Sequence, residues 1–331
     1  MPAAVWFPRA RAVEIRQEAV RDPAAGEIRV RALVSALSHG TERLVYRGEV
    51  DPNLAFDLPT LAGGYGFPVK FGYASVGRVV ASGRDVLGMR EGDLVFALHP
   101  HQEEYVLASD LAHRLPDGLA ADAGVFLANL DTAVNVTLDA KAKAGDTVIV
   151  FGQGVVGLLV TQLLTRAGAR VIAVEPAARR AAMSALCGAA TVLDPSDLSL
   201  VRSLTGDRGA DLAIEASGNA HALQQAIDSV ADESTIVVCS WYGEKRVTLD
   251  LGGRFHRGRL KIVSSQVGGI DPSLAPRWDR ARRLAYATDL LSELRLAELI
   301  THRFPFARAA DAYALLDEHS TDAIQVVLEY D

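Results

Sequence analysis

Short segments with alternating apolar and polar positions dominate the first third of the chain. Residues 27–34 (EIRVRALV) alternate after a turn-rich DPAAG, which is typical of a strand with one buried face. Further strands are predicted at 75–82, 93–98 and 104–108, separated by clusters of Gly, Pro and Asp. This region is therefore predicted to form an antiparallel or mixed β domain.

From about residue 119 the pattern changes to helices that alternate with apolar strands. Strands are predicted at 147–152, 170–175, 190–194, 211–217 and 234–240, with helices at about 155–167, at about 177–187 and from 220. Such strands predict a parallel sheet covered by helices on both faces, that is, a doubly wound α/β domain. Two later helices precede a last strand at 323–330, which we expect to return to the first domain.

Composition limits the class of protein. A chain of 331 residues has room for two domains, and 34 Lys and Arg against 41 Asp and Glu give a net charge of −7, which disfavours nucleic acid as a partner. The sequence lacks an apolar leader segment and a run of the ~20 apolar residues that span a membrane, so we expect a cytoplasmic protein. Cys187 and Cys239 are far apart, which excludes a disulfide framework and a thiolate zinc site.

A glycine motif follows the first strand of the predicted parallel sheet. Gly152, Gly154 and Gly157 form GxGxxG between a strand and a helix, the context in which this motif predicts a dinucleotide site. The first glycine permits a tight turn, the second lets the backbone approach a pyrophosphate, and the third permits close packing of helix on sheet. The intervening Gln153, Val155 and Val156 are assigned to the same cofactor site.

Glu175 ends the second strand of this sheet, close to the ~20-residue spacing at which an acid accepts hydrogen bonds from the adenosine ribose. A carboxylate there repels a 2′-phosphate, so the sequence favours NAD(H) over NADP(H). Arg179 and Arg180 lie just beyond and leave NADP(H) open, with Arg180 counted among the cofactor residues. The competing interpretation is a simple glycine turn with Glu175 as a solvated strand end.

The order of these parts resembles the medium-chain dehydrogenase/reductase superfamily over nearly the whole chain. The segments that carry the resemblance include PAAGEIRVRALVSALSHGTE, GYASVGRVVASG, GQGVVG, DLAIEASG and ITHRFPFARAADAYALL. Within the superfamily, SHGTERLVYRGE followed by FGYASVGRVV is most similar to the bacteriochlorophyllide a dehydrogenase branch. The resemblance implies a GroES-like catalytic domain at 1–125 and 267–331, a Rossmann domain at 126–266, and a homodimer.

The resemblance also implies a set of nicotinamide contacts in the cleft between the domains. They are Thr132 on a bridging helix, Ser217, Gly218, Ser240 and Trp241 at strand ends, and, more weakly, Gln266.

The zinc ligands of the superfamily fall here on His39, Tyr73 and Ala128, of which only His39 can ligate as a neutral side chain. The sequence therefore predicts an enzyme without zinc, in which side chains supply the proton at the carbonyl oxygen. The candidates are His39, Thr41, Lys70 and Tyr73: Tyr73 or His39 donates and Thr41 relays. Alternatively, Tyr73 fills the space left by the metal and His39 is a hydrogen-bonded interior group.

Two further features keep alternative interpretations open. His99 and His101, two residues apart and read as one face of a strand, suggest either a rebuilt metal site with His39 or a polar wall that contacts substrate, and His101 is counted among the catalytic candidates. The basic segment 254–261 (RFHRGRLK) either steers an anionic substrate or forms a solvated surface.

Together these features predict a zinc-independent oxidoreductase that transfers hydride between NAD(H) and a secondary alcohol or ketone. The small-molecule substrate is expected to carry its hydroxyl on a conjugated ring, another heterocycle or a sugar-like framework. Two alternatives remain at this stage: a quinone or enoyl reductase that uses NADPH, and a cofactor-binding protein without catalytic activity.

Overall fold

The computed structural model describes residues 1–61, 63–319 and 321–331. Their contacts divide the chain into two compact units. The first unit contains residues 1–128 and 288–331, and the second contains residues 129–287.

The elements of residues 1–140 are β1 (Ala3–Trp6), β2 (Glu14–Gln17), β3 (Glu27–Leu37), α1 (Thr41–Arg47), β4 (Ser75–Ser82), β5 (Leu94–Ala97), β6 (Glu104–Ala108), β7 (Ala112–Arg114), α2 (Ala121–Gly124) and α3 (Leu127–Ala140). The elements of residues 147–290 are β8 (Thr147–Phe151), α4 (Val155–Arg166), β9 (Arg170–Val174), α5 (Ala178–Leu186), β10 (Thr191–Leu193), α6 (Leu200–Leu204), β11 (Ala210–Glu215), α7 (Ala220–Ser229), β12 (Val230–Val238), β13 (Lys261–Ser264) and α8 (Arg280–Leu290). The remaining elements are β14 (Ile300–Pro305), α9 (Ala309–Glu318) and β15 (Gln325–Glu329).

The first unit is built on a sheet with the strand order β14-β15-β3-β4-β5-β7, to which β6 adds by pairing with β3. Strand β3 is the longest of its strands. Over 27–34 it alternates in burial, because its apolar side chains face the core and its charged ones face solvent, whereas 34–37 are all buried. The predicted return of the last strand is confirmed: β15 pairs antiparallel with β3, with Val326 opposite Leu37.

Aromatic side chains fill the core beside the start of α1. Phe7 packs edge-on against Tyr313 at 4.9 Å and against Tyr46 at 5.6 Å between ring centroids, and Tyr46 stacks on Tyr313 at 5.4 Å. Tyr46 belongs to α1 and Tyr313 to α9, so these rings fix both helices against Phe7, the residue that follows β1. Through α1 they also fix the segment 38–42 that enters this helix.

The second unit contains the predicted parallel sheet, with the strand order β10-β9-β8-β11-β12-β13. Its central strands are buried on both faces, as in β8, where every residue is buried. The chain passes from β8 outward through β9 and β10, then returns to pair β11 on the other side of β8. This reversal creates a switch point at the carboxyl end of β8, where doubly wound sheets bind ligands.

The second unit extends beyond the predicted boundary at residue 266, because helix α8 is tied back to α3. The Arg283 guanidinium is 2 % exposed and donates to both carboxylate oxygens of Asp131, at 2.7 and 2.9 Å, and to Asn135 Oδ1 at 2.6 Å. It also donates to the carbonyls of Val267 and Gly269. A buried guanidinium needs such partners for its five donors, so residues 267–287 fold with the parallel sheet.

Among the described residues, no helix combines the length and apolar character needed to cross a bilayer.

Candidate functional site

The glycine motif forms the turn between β8 and α4. Gly152 has φ +86°, and a Cβ there would lie 2.7 Å from Ser217 Cα. A Cβ at residue 157 would lie 2.0 Å from the carbonyl oxygen of Gly152. Gly154 differs from both, because its Cβ position has no described atom within 4 Å apart from its own chain neighbours. The first and third glycines are therefore required by packing, whereas the second leaves open space before the helix N-terminus, where an anion is stabilised.

Glu175 lies at the carboxyl end of β9, 6 % exposed, and faces this turn. Its Oε2 accepts from the Gln153 amide at 2.7 Å, and its Oε1 accepts from the Ala177 amide at 3.0 Å. The Gln153 side chain is fully buried, with Oε1 accepting from Thr161 at 3.1 Å. Gln153 thus supports the turn from inside, and Glu175 fixes the turn while placing a carboxylate beside it.

Glu215, at the carboxyl end of β11, was not identified from the sequence. It is fully buried, and its Oε1 accepts from the backbone amides of Ser217 and Gly218 at 2.7 and 2.9 Å. Its Oε2 accepts from the Tyr242 hydroxyl at 2.9 Å, and burial together with this carboxylate raises the pKa of Tyr242. The signal in the sequence was an acid that ends an apolar strand, DLAIEAS. This carboxylate orders the loop that lies against Gly152.

The structure brings six of the predicted cofactor residues together at the ends of neighbouring strands. Gly152 contacts Ser217 as described above, and the Gly218 amide donates to Ser240 Oγ at 2.8 Å. The six are Gly152, Gln153, Glu175, Ser217, Gly218 and Ser240, at the carboxyl ends of β8, β9, β11 and β12.

The other predicted cofactor residues lie on nearby or separate elements. Val155 and Val156 begin α4, and Arg180 is half-buried on α5, where burial lowers its pKa while the Glu175 charge raises it. Thr132 lies on α3, and Trp241, 40 % exposed, follows β12. Gln266 follows β13, with its Oε1 accepting from the Gly268 amide at 2.6 Å. Their cofactor contacts stay predictions.

In the first unit, the Tyr73 hydroxyl lies at the entry to α1. The side chains of Ser38 and Thr41 lie close enough to interact with it. Burial, followed by the charge of Glu42, raises the pKa of Tyr73 to about 12. Tyr73 therefore stays protonated at neutral pH and can donate a hydrogen bond or a proton. Tyr73 and Thr41, two of the predicted catalytic residues, are thus in contact.

The remaining candidates in this unit occupy different places. His39 is half-buried in the segment between β3 and α1. The Lys70 ammonium donates to Glu18 at 2.7 Å and to Gln102 at 3.1 Å, and lies 5.7 Å from the centroid of the Trp6 ring. The structure therefore gives Lys70 a charge partner on the segment after β2, and its catalytic role stays a prediction.

His99 and His101 lie in the loop between β5 and β6, not on a strand as expected, so they do not share a strand face. The His99 ring stacks on Tyr105 with centroids 3.7 Å apart. His101 is fully buried, with Nδ1 2.7 Å from Ser35 Oγ and Nε2 2.9 Å from Glu42 Oε2. Both ring nitrogens of His101 are occupied, so it can order its neighbours but offers no lone pair to a metal.

The donors present do not fit a catalytic zinc ion, which normally takes three protein ligands. At the three ligand positions implied by the resemblance stand His39, a tyrosine whose pKa is about 12, and Ala128, which has no donor. Within residues 1–61, 63–319 and 321–331, no group of three or more His, Cys, Asp or Glu side chains is arranged to hold a metal ion. We therefore derive no chemical step through zinc.

Sequence comparisons identify relatives over most of the chain. The sequence profile of the family described as "Zinc-binding dehydrogenase" matches residues 155–284. D-guloside 3-dehydrogenase of Escherichia coli K12 is 30% identical over 323 residues, covering 91% of this chain and 92% of the relative. The 2-desacetyl-2-hydroxyethyl bacteriochlorophyllide A dehydrogenase of Rhodobacter capsulatus is 27% identical, covering 93% of this chain and 92% of that protein.

Solved structures share the fold. An alcohol dehydrogenase from Escherichia coli CFT073, complexed with NADH, superposes with a TM-score of 0.81 at 21% identity over 99% of both chains. A zinc-binding dehydrogenase from Sinorhizobium meliloti 1021, bound to NADP, also reaches a TM-score of 0.81, at 20% identity over 99% of both chains. The glycine turn, the GroES-like and Rossmann folds and the near full-length relatives agree: the chain belongs to the zinc-binding dehydrogenases of the medium-chain dehydrogenase/reductase family, oxidoreductases that act on alcohols.

Proposed function

We propose that this protein is a zinc-independent oxidoreductase that transfers hydride between NAD(H) and a ring-borne secondary alcohol or its ketone. The observation that carries the proposal is the pair of sites described above. One is a glycine turn with a buried carboxylate at the switch point of the parallel sheet, and the other is a tyrosine, protonated at neutral pH, beside two hydroxyl side chains in the GroES-like unit.

NAD(H), when bound, supplies or accepts the hydride, and the chain's own residues select and orient it. Each Glu175 oxygen accepts one backbone hydrogen bond and retains a second lone pair for a ribose hydroxyl. A 2′-phosphate would meet this carboxylate at close range, which favours NAD(H). Burial lowers the pKa of Arg180, and the charge of Glu175 raises it by less, so the two side chains lie near each other. Because a nearby arginine can accommodate a 2′-phosphate, we also propose weaker use of NADP(H).

Proton transfer falls to Tyr73 in this proposal. In the direction of reduction its hydroxyl donates a proton to the carbonyl oxygen and takes one back from Thr41 or Ser38. In the direction of oxidation the path is reversed: Tyr73 accepts the proton of the alcohol as it passes its own proton to Thr41 or Ser38. Its pKa of about 12 keeps the donor form populated across physiological pH. Thr41 and Ser38, whose side chains lie beside Tyr73, pass the proton onward. Because Tyr73 and the hydroxyls beside it can supply the proton, the proposed reaction does not require zinc.

The proposed substrate class rests on the named relatives, which act on a guloside and on a hydroxyethyl-substituted bacteriochlorophyllide. Both names describe an alcohol carried on a ring. A sugar-like ring is favoured, because the guloside enzyme is the more similar of the two.

The test is NAD⁺ reduction, followed at 340 nm, with methyl glycosides, acyclic polyols and aryl-substituted secondary alcohols, and the reverse reaction with ketones and enones. We expect turnover with ring alcohols and, in Tyr73→Phe, a fall in kcat of about 100-fold or more, as for loss of a general acid. Tyr65→Phe is the matched control, because the rings of Tyr65 and Tyr73 both pack near the Phe71 ring, with centroids 5.4 and 6.3 Å from its centroid.

Two results would replace the proposal. Turnover confined to activated alkenes would identify a quinone or enoyl reductase. Absence of turnover, together with no thermal stabilisation by NADH or NADPH, would identify a protein that has lost the cofactor function. The homodimer and the cytoplasmic location stay predictions from the sequence, checked by light scattering and by cell fractionation.

A further inference from the structure

Glu42 is a fully buried carboxylate in the first turn of α1, directly after Thr41. Its Oε1 accepts from the Ser38 amide at 3.1 Å. Its Oε2 accepts from the Tyr313 hydroxyl at 2.6 Å and is bonded to His101 Nε2 at 2.9 Å. A buried carboxylate is tolerated only with such partners, so these three bonds fix both Glu42 and the segment from Ser38 to Thr41.

His101 extends the same arrangement to Tyr73. A Cβ added to Gly72 would lie 2.8 Å from His101 Cδ2 and 2.9 Å from Nε2, so the imidazole lies directly against the backbone of Gly72. Gly72 has φ +143°, a conformation that favours glycine, and it immediately precedes Tyr73. The other ring nitrogen is bonded to Ser35 Oγ on β3, which prevents the ring from turning away.

The imidazole therefore lies between the two segments that carry the Tyr73–Thr41 contact. On one side it supports the backbone before Tyr73, and on the other it holds the carboxylate next to Thr41. We propose that Glu42 and His101 are positioning residues, which hold the Tyr73 hydroxyl against Ser38 and Thr41. This inference rests on the proposed function, in which Tyr73 handles the proton, and it assigns His101 an indirect role because His101 is fully buried.

The role should depend on hydrogen-bonding geometry, and Glu42→Gln isolates geometry from charge. The glutamine oxygen can accept from the Ser38 amide. Its NH₂ group can donate to Tyr313 Oη and to His101 Nε2, once His101 carries its proton on Nδ1 and donates to Ser35. His101→Phe makes the opposite change, because it keeps a ring against Gly72 and removes both hydrogen bonds.

The experiment compares Glu42→Gln, His101→Phe and the control Tyr105→Phe, which removes a buried hydroxyl that donates to Ser75 at 3.0 Å outside this cluster. For His101→Phe we expect kcat to fall by about 10- to 100-fold at unchanged KM for NAD⁺, since a displacement of about 1 Å can cost about 100-fold. Glu42→Gln should keep kcat within about threefold, as expected when geometry is retained. Tyr105→Phe should match the parent protein.

Amide hydrogen exchange of the cofactor-free protein provides a readout that does not need a substrate. In His101→Phe, peptides covering 38–42 and 72–73 should exchange faster than in Tyr105→Phe, whereas Glu42→Gln should not change them. If His101→Phe does not fold, Tyr313→Phe serves instead, because it removes one bond to Glu42 while its ring still packs on Phe7.

Three outcomes would overturn the inference. They are parental exchange at both segments in His101→Phe, parental kcat in that variant, and a loss of kcat in Glu42→Gln as large as in His101→Phe. The last would assign the effect to charge. If the parent protein oxidised no secondary alcohol, the proposed function would fail, and the exchange experiment would still decide the positioning.

Discussion

His99 provides a test of the packing around the loop between β5 and β6 through the pH dependence of stability. Its imidazole is 7 % exposed, stacked on Tyr105, with Nδ1 3.0 Å from the Pro100 carbonyl. Burial lowers the pKa of His99 from 6.5 to about 3, and the nearby charges of Lys70 and His101 act in the same direction, whereas the bond to Pro100 opposes it. The folded chain therefore keeps this ring neutral.

The sign of the effect follows from which state binds the proton. Between pH 6.5 and pH 3 the unfolded chain protonates this histidine and the folded chain does not, so acid favours unfolding. With these two pKa values the linkage relation gives a loss of about 2 kcal/mol in the free energy of unfolding from pH 7 to pH 5. The contribution is present above pH 6.5 and declines as the pH falls towards 3.

The assay is urea unfolding at pH 7 and pH 5, followed by tryptophan fluorescence, to which Trp6 contributes from the same unit as His99. His99→Phe keeps the stack on Tyr105 and loses the bond to Pro100, which costs about 1 kcal/mol at both pH values. This variant should be less stable than the parent protein at pH 7 and more stable at pH 5. Tyr105→Phe keeps His99 buried and should retain the parental pH dependence. Equal losses in the parent protein and His99→Phe would show that the burial argument is wrong.

Three further predictions concern the cofactor site and the metal. Gly154→Ala should keep the parental Tm, because its Cβ enters open space. It should lose the stabilisation by NADH, because that space is where the pyrophosphate is expected to approach the backbone. Gly157→Ala should lower stability by about 1–3 kcal/mol, because its Cβ meets the Gly152 carbonyl; equal Tm values would contradict this distinction. Glu175→Ala should lower the ratio of the Kd values for NADPH and NADH, measured by fluorescence titration, and an unchanged ratio would remove Glu175 from cofactor selection. Untagged protein should contain far less than one zinc per subunit by plasma mass spectrometry and stay active after chelation, whereas stoichiometric zinc with activity lost on chelation would restore a metal mechanism.

The sequence predicted the two sheets because their signals are local. Alternation over 27–34 and apolar runs such as β8 indicate which faces of a strand are buried. A glycine motif between a strand and a helix indicates where an anion can bind. Because the prediction depends on a local apolar pattern, it missed strands that are short or exposed. Strand β2 (Glu14–Gln17) carries little apolar pattern, and it forms because β1 pairs with it.

The polar interior was decided by the tertiary structure. Nothing local distinguishes Glu42 from a solvated helix residue; it is buried because Tyr313, 271 positions away, and His101, 59 positions away, bond to it. The sequence made Lys70 a catalytic candidate in the same way as Tyr73, but in the structure its ammonium donates to Glu18 and Gln102. A buried charge is stable only where distant segments supply its partners, and those partners are set by the packing of the whole unit. The sequence by itself thus determined the architecture and the cofactor turn, and folding determined which of its polar residues became the site.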